Sequence, residues 1–330
     1  MRTQGAQARF WAVVALSASC VAGCVSSAGD VGADDEDAAV LSSVSLALTA
    51  QDAVSSDASA TTTAVAASSD RLYGVTVDNI AKLPSILAAL GRIGAKHRPI
   101  ARIVFDEGVS PGEYAQAVPA IHAQSAVMGE ILDSEYVGTV SVAAYVARAQ
   151  AYLAAFPTTV DVWEIGNEIN GEWLVAPGGT NADVVAKMTG AYSVIKSAGR
   201  RTALTLYYNK NCWSSPKNEM FTWVNANVPA QMRTGLDYVL VSYYEDDCNG
   251  LQPNWNAVFT QLRQIFPTAK LGIGECGTSK AASKASYINK YYGMSVNVPG
   301  YIGGYFWWYF YEDMVPDTKS LFATLLAAMP

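Results

Sequence analysis

The chain has 330 residues, of which 51% are hydrophobic and 15% charged, and its formal net charge is −7. That length admits two ordinary domains or a single larger αβ barrel. The charge is uneven: +2 over residues 1–24, −8 over residues 25–70, which hold eight acids and no base, and −1 over residues 71–330, from 20 bases and 21 acids. A body so close to neutral has no basic stripe to meet phosphates, which argues against nucleic acid as its partner.

The N-terminal segment starts with Arg2 and Arg9 and the apolar run Phe10 to Leu16, too short for a permanent membrane span. It ends Val21-Ala22-Gly23-Cys24, which resembles the lipobox of bacterial lipoproteins. The resemblance implies that Cys24 is lipidated and becomes the mature N-terminus of an exported protein anchored in a bacterial cell membrane. Val25 rather than Asp follows the cysteine, so nothing resembles an inner-membrane retention signal and the outer membrane stays open as a location. The alternative is an ordinary secretory signal cut at a small residue. Residues 25–70 contain no aromatic, no Pro and no base. Such a segment buries little and is expected to be a disordered linker, extended by the charge of Asp34-Asp35-Glu36-Asp37.

From Arg71 onward, strand-like and helix-like stretches alternate. Strands are expected at Leu72–Val77, Ile100–Phe105, Ala126–Leu132, Val160–Ile165, Ala203–Tyr208, Tyr238–Tyr243, Leu271–Gly274 and Gly304–Tyr309, each a short β-branched or aromatic run bounded by turn residues. Helical patterns lie between them, among others at Lys82–Ile93, Val142–Phe156, Asp183–Ala198, Trp255–Ile265, Ser283–Tyr292 and Leu321–Ala328. Eight strand–helix units in about 260 residues predict one (β/α)8 barrel over residues 71–330, with an open doubly wound sheet as the competitor.

In such a barrel the chemistry belongs at the C-terminal ends of the strands. The fourth ends Trp163-Glu164-Ile165-Gly166-Asn167-Glu168 and the seventh Gly272-Ile273-Gly274-Glu275-Cys276-Gly277. Two carboxylates opposed across a barrel mouth are what glycosidic-bond hydrolysis requires. The Trp-Glu-Ile-Gly-Asn-Glu run resembles the retaining (β/α)8 glycoside hydrolases that carry Asn-Glu at the end of strand four. That resemblance implies Glu168 as acid/base, Asn167 as the holder of the sugar 2-hydroxyl and Glu275 as nucleophile. It also implies Tyr244 as the tyrosine that hydrogen-bonds the nucleophile, and Arg102 as the arginine beneath it. The sequence departs from the pattern at Ser242, where many relatives have histidine.

Aromatic platforms suit the C–H faces of sugar rings. Trp307 or Trp308 is expected to floor the site, with strand alternation allowing only one to face inward and Trp308 preferred. Trp173 and Trp213, in loops after strands four and five, are further sugar contacts, while Trp223 and Trp255 lie in helical patterns and read as packing residues. Glu164, four residues before Glu168, is expected deeper in the barrel beside a basic or hydroxyl group. Glu130 and Asp133 are candidate rim contacts, as are Asp78 and Asn79. Glu245, Asp246 and Asp247 form an exposed acidic rim.

Other chemistries fit poorly. Gly272-x-Gly274-x-x-Gly277 matches a dinucleotide fingerprint in letters, but no acid lies between Glu275 and Glu312 to bind a ribose. The two histidines, His97 and His122, lie outside the strand ends, which leaves no Ser-His-Asp triad and no histidine-based zinc site. No metal and no organic cofactor is expected. Cys212 and Cys248 follow neighbouring strands and are candidates for a disulfide in an exported protein, with all-reduced cysteines as the alternative. The expected function is a monomeric, lipid-anchored retaining glycoside hydrolase acting on an oligo- or polysaccharide. Its rivals are a non-catalytic carbohydrate-binding barrel and a barrel isomerase or lyase.

Overall fold

The structure is a computed structural model and describes residues 71–330. The expected signal segment, the lipidation site Cys24 and the linker to residue 70 lie outside the described residues.

Eight parallel strands close into a barrel: β1 (Leu72–Val77), β2 (Ile100–Val104), β3 (Ala126–Glu130), β4 (Val162–Glu164), β5 (Arg201–Tyr207), β6 (Tyr238–Tyr243), β7 (Lys270–Cys276) and β8 (Tyr301–Trp307). Each strand pairs with its successor, and β8 pairs with β1. The closed order excludes the open sheet. Helices cover the outside and bury their apolar stripes against it. In Leu83–Gly94 the buried residues are Ile86, Ala89, Leu90 and Ile93, which are spaced for one helix face. In Trp255–Ile265 the Asn254 side chain caps the first turn by accepting from Ala257 N, and Val258, Phe259 and Leu262 face the core.

Several boundaries differ from the sequence reading, each for a physical reason. The helix expected from Asp183 starts at Asn181, because Thr180 and Asp183 form a reciprocal capping box. Strand β8 starts three residues earlier than expected. The expected strand begins at Gly304 and leaves out Gly303, yet both glycines sit inside the strand with φ of 85° and 97°, close against neighbouring backbone. Three short helices, Ala117–His122, Met220–Asn227 and Ala230–Gly235, complete the connections whose patterns were too brief to read.

Along β2 the buried residues alternate between two cores. Ala101 and Ile103 join the layer between strands and helices, while Ile100 joins a small cluster inside the barrel with Met128, Val162, Ala203, Tyr238, Leu240, Ile302 and Phe306. That cluster plugs the N-terminal half of the interior. Above it the interior turns polar: Arg102, Glu130, Glu164, Thr205, Ser242 and Glu275 are all buried near the C-terminal ends of their strands. The barrel is thus an apolar plug beneath a charged cup, and the cup holds the candidate site.

Candidate active site

Strand alternation alone would point Glu275 away from the cup. Leu271 and Ile273, which share its parity, lie in the outer core. A shift in the β6–β7 register corrects this: Val241 pairs with Ile273, whereas the next residue, Ser242, pairs with Glu275. The extra residue is Gly274, and it must be glycine. A Cβ there would lie 2.6 Å from Leu240 Cβ and 3.0 Å from Thr205 Cγ2. The bulge turns Glu275 inward and sends Cys276 to the outer core, where it is buried with its thiol directed at the Tyr305 carbonyl. Burial pushes the Cys276 thiol well up, so it stays protonated and inert beside the site.

Inside the cup Glu275 has two donors. Arg102 Nη1 donates to its Oε2 at 2.8 Å, and the Tyr244 hydroxyl donates to its Oε1 at 2.6 Å. Burial, reinforced by the charge of Glu275, holds the Tyr244 phenol well above its usual range, so it remains a donor. Arg102 is fully buried and faces three carboxyls, with Nε 2.6 Å from Glu164 Oε2 and Nη2 3.1 Å from Glu130 Oε2. Burial alone would depress its pKa, but Glu130, Glu164 and Glu275 together outweigh that and hold it well above the ordinary value. Glu164 also accepts from the Thr205 hydroxyl, so it lies deep in the barrel between a base and a hydroxyl.

Glu168 follows the short β4 in a tight turn. Its φ of 45° is left-handed, a conformation that strains a residue with a side chain and gathers at functional sites. The turn is locked from below by buried amides. Asn170 bonds both N–H and C=O of Tyr207 and the Asn218 carbonyl, Asn218 bonds back to the Asn170 carbonyl, and Asn209 donates to Asn218 O. The Glu168 carboxyl is clamped by two serines: Ser242 Oγ donates to Oε1 at 2.6 Å and Ser134 Oγ to Oε2 at 3.0 Å. Ser242, the position where the sequence departs from the resembled pattern, therefore stands at a carboxylate as a donor. Trp173 extends the chain of contacts, its indole N–H donating to Ser134 Oγ at 3.1 Å while its ring meets Tyr207 edge to face at 5.3 Å. Asn167 is buried beside Glu168, and its Oδ1 has no hydrogen-bond partner among the described residues.

The two strand-eight tryptophans part company. Trp308 is half-buried over the cup, its ring 5.7 Å from the Arg102 guanidinium carbon. Trp307 is fully buried on the outer side, and its indole donates to Asp313 Oδ2 at 3.0 Å. A sugar-contact role for Trp307 is therefore corrected to a packing role. Trp213 is 37% exposed in the loop after β5. That loop is held at both sides: Cys212 is disulfide-bonded to Cys248 with Cα atoms 5.1 Å apart, and Glu172 accepts the Ser214 and Ser215 N–H groups, each at 2.6 Å. Trp223 is buried in its helix and half-buried Trp255 packs on Tyr208 and Tyr243.

Other residues find ordinary structural work. Glu245 is not part of an exposed rim: it is buried and paired with Lys290 at 2.8 Å, with Gln252 donating to it at 2.7 Å. Asp246 pairs with Lys280 and accepts from Thr278, which draws it below its usual range despite burial. Gly272 and Gly274 lie within β7 rather than in a strand-to-helix turn, so they pack the barrel and do not cradle a phosphate. His97 and His122 both precede their next strands, at the end of the barrel opposite the carboxylates. Among the described residues no group of histidine, cysteine and acid side chains is arranged to hold a metal, and no helix is long and apolar enough to cross a membrane.

Sequence reasoning missed Ser134 and the asparagine lock, and it noted Ser242 only as a departure, without its role at Glu168. Ser134 and Ser242 carry no signal as letters, because a lone hydroxyl on a strand or helix end has many uses. Only the closed barrel brings residues 134 and 242 to one carboxyl.

No family model and no curated protein matches the chain. Solved structures do. The chain is similar to a family 1 β-glucosidase from Thermotoga maritima in complex with isofagomine lactam, with a TM-score of 0.52 and 10% identity over 73% of this chain and 88% of that one. It is also similar to the virulence factor SghA from Agrobacterium tumefaciens, with a TM-score of 0.50 and 13% identity over 72% of this chain and 87% of that one. At such identities the likeness is one of fold: this chain shares a (β/α)8 barrel with them.

Proposed function

We propose that the protein is a retaining glycoside hydrolase acting on an oligo- or polysaccharide, with Glu275 as nucleophile and Glu168 as acid/base. The observation that carries this reading is the asymmetric pair of buried carboxyls at one end of the barrel. Glu275 is held by a cation and a phenol, as an attacking carboxylate requires, whereas Glu168 is held by neutral hydroxyls that can accept or donate as its proton comes and goes.

In the first step Glu275 attacks the anomeric carbon, the bond to the leaving oxygen breaks, and Glu168 gives that oxygen its proton. In the second, Glu168 takes a proton from water, the water oxygen bonds the anomeric carbon, and the ester to Glu275 breaks. Arg102 and Tyr244 orient the nucleophile before attack. The unpartnered Asn167 oxygen suits a sugar hydroxyl donor, and Trp308 offers a ring face beside the reacting sugar. Trp173 and the rim-held Trp213 are further sugar contacts. This chemistry calls on no metal and no organic cofactor. The domain plan of signal (1–24), linker (25–70) and catalytic barrel (71–330) belongs to the same proposal, as do lipidation at Cys24, export to a bacterial membrane surface and a monomeric state.

The test is turnover of a panel of aryl glycosides and polysaccharides by wild type, Glu168→Gln and Glu275→Ala, with proton NMR of the first-formed anomer. Retained configuration, with turnover reduced by at least about a thousandfold in Glu275→Ala while the melting temperature holds, is the expected outcome. Inverted configuration, or normal turnover by Glu275→Ala, removes the mechanism. Saturable sugar binding without turnover transfers the protein to the carbohydrate-binding class.

A further inference from the structure

Three buried carboxyls of the cup face Arg102, and the three are not held alike. Glu164 accepts from Arg102 Nε at 2.6 Å, from Arg102 Nη2 at 3.3 Å and from the Thr205 hydroxyl. Glu275 accepts from Arg102 and Tyr244. Glu130 is as deeply buried as its neighbours, yet no described group donates a hydrogen bond to either of its oxygens. Its Oε2 lies 3.1 Å from Arg102 Nη2 without the alignment of a hydrogen bond. A carboxylate without donors in a water-excluded interior is costly, and a second or third anion around a single guanidinium makes it more so.

We propose that Glu130 stands as a neutral carboxylic acid at neutral pH and is a positioning residue: by holding a proton it leaves the charge of Arg102 to Glu164 and Glu275. The functional half of this statement rests on the assignment of Glu275 above; the proton does not. The groups that face Glu130 are Arg102 from β2, Asp133 from the loop after β3, Glu164 from β4, Glu275 from β7 and Tyr145 from the helix Val142–Ala155. Only Arg102 favours its ionised form. Burial first, and then the neighbouring acids, push Glu130 well above the ordinary carboxyl range, with Arg102 opposing. Ionisation of Glu130 in alkaline solution would place a third anion on Arg102 and draw the guanidinium from Glu275.

Two measurements on the full-length protein test this without any substrate. At a pH of about 7.5, above the Asp133 titration at about 6, the infrared spectrum is expected to contain the carbonyl stretch of a neutral carboxylic acid. In a Glu168→Gln background, which removes the acid/base proton, that band is expected to remain, to vanish on adding Glu130→Gln and to persist on adding Glu164→Gln. The sign of the pH effect is fixed: a raised folded-state value means that the folded chain holds a proton the unfolded chain has lost. The corresponding stability is present at low pH and lost as pH rises from the ordinary carboxyl value towards the raised one. The melting temperature of Glu130→Gln, whose amide mimics the neutral acid, should therefore gain steadily on wild type from about pH 5 upward. A Glu168→Gln spectrum without the band, a band lost on adding Glu164→Gln instead, or a pH-independent difference in melting temperature each overturns the proposal. If the protein also turns over a dinitrophenyl glycoside, whose leaving group needs no proton, the alkaline fall in kcat/KM should move to higher pH in Glu130→Gln. An unmoved limb refutes the positioning role while leaving the proton assignment standing.

Discussion

Glu168 lies in the grip of Ser134 and Ser242, two hydroxyls from β3's following helix and from β6. Each bond fixes one carboxyl oxygen, so removing either hydroxyl frees the carboxyl to rotate away from the glycosidic oxygen. Hydrogen bonds to charged groups are worth about 1.5–3 kcal/mol, which corresponds to roughly a tenfold to hundredfold change in rate. Ser134→Ala and Ser242→Ala are each expected to lower kcat by that factor with little change in KM, as measured on the glycoside identified by the panel. An unaltered kcat in both variants would show that the clamp is only packing. The strained φ of Glu168 belongs to the same design: the backbone is forced into the left-handed region so that its side chain reaches the cup.

Among the elements, β7 decides the geometry. Its bulge at Gly274 reverses the facing of every later residue, which brings Glu275 in and turns Cys276 out. Gly274→Ala would drive a methyl group into Leu240 and Thr205, the residue that bonds Glu164. Overpacking of this kind costs about 1–3 kcal/mol, and here it would also disturb the ion cluster beneath the nucleophile. The expected result is a lower melting temperature and a fall in kcat larger than the stability loss explains; a variant indistinguishable from wild type would mean that the bulge tolerates a side chain. Much of this was legible in the sequence. Strand ends, the carboxylates and the relation of Glu164 to a base followed from apolar runs and spacing. The bulge did not, because the run Leu-Gly-Ile-Gly-Glu-Cys reads as regular alternation, and the extra residue exists only relative to β6.

For the whole molecule, the rim loops are laced across strands. The Cys212–Cys248 disulfide ties the loop after β5 to that after β6, Glu172 reaches from beyond β4 to the Ser214 and Ser215 amides, and Asp246 reaches Thr278 and Lys280 beyond β7. The cysteines are 36 residues apart in sequence, and in the chain-entropy account closing such a loop stabilises the fold by about 4 kcal/mol. Cys212→Ala with Cys248→Ala is therefore expected to lower stability by up to about that amount in denaturant titrations. Because Tyr244 begins the segment that Cys248 ends, the same pair of substitutions should lower kcat, and a loss of stability without any change in kcat would show that the staple does not reach the site.

The sequence by itself determined the barrel, the two carboxylates at its strand ends, the near-neutral charge of residues 71–330 and the candidacy of Cys212 and Cys248. These rest on period, spacing and composition, which are properties of a chain read along its length. The tertiary structure alone decided which way Glu275 and Trp308 face, that Trp307 belongs to the outer packing, that Glu245 is buried and paired, and that Ser134, Ser242 and Glu130 converge on the cup. Closure brings together residues from strands far apart in the chain, and the partners of a buried charge depend on that register rather than on its neighbours in sequence.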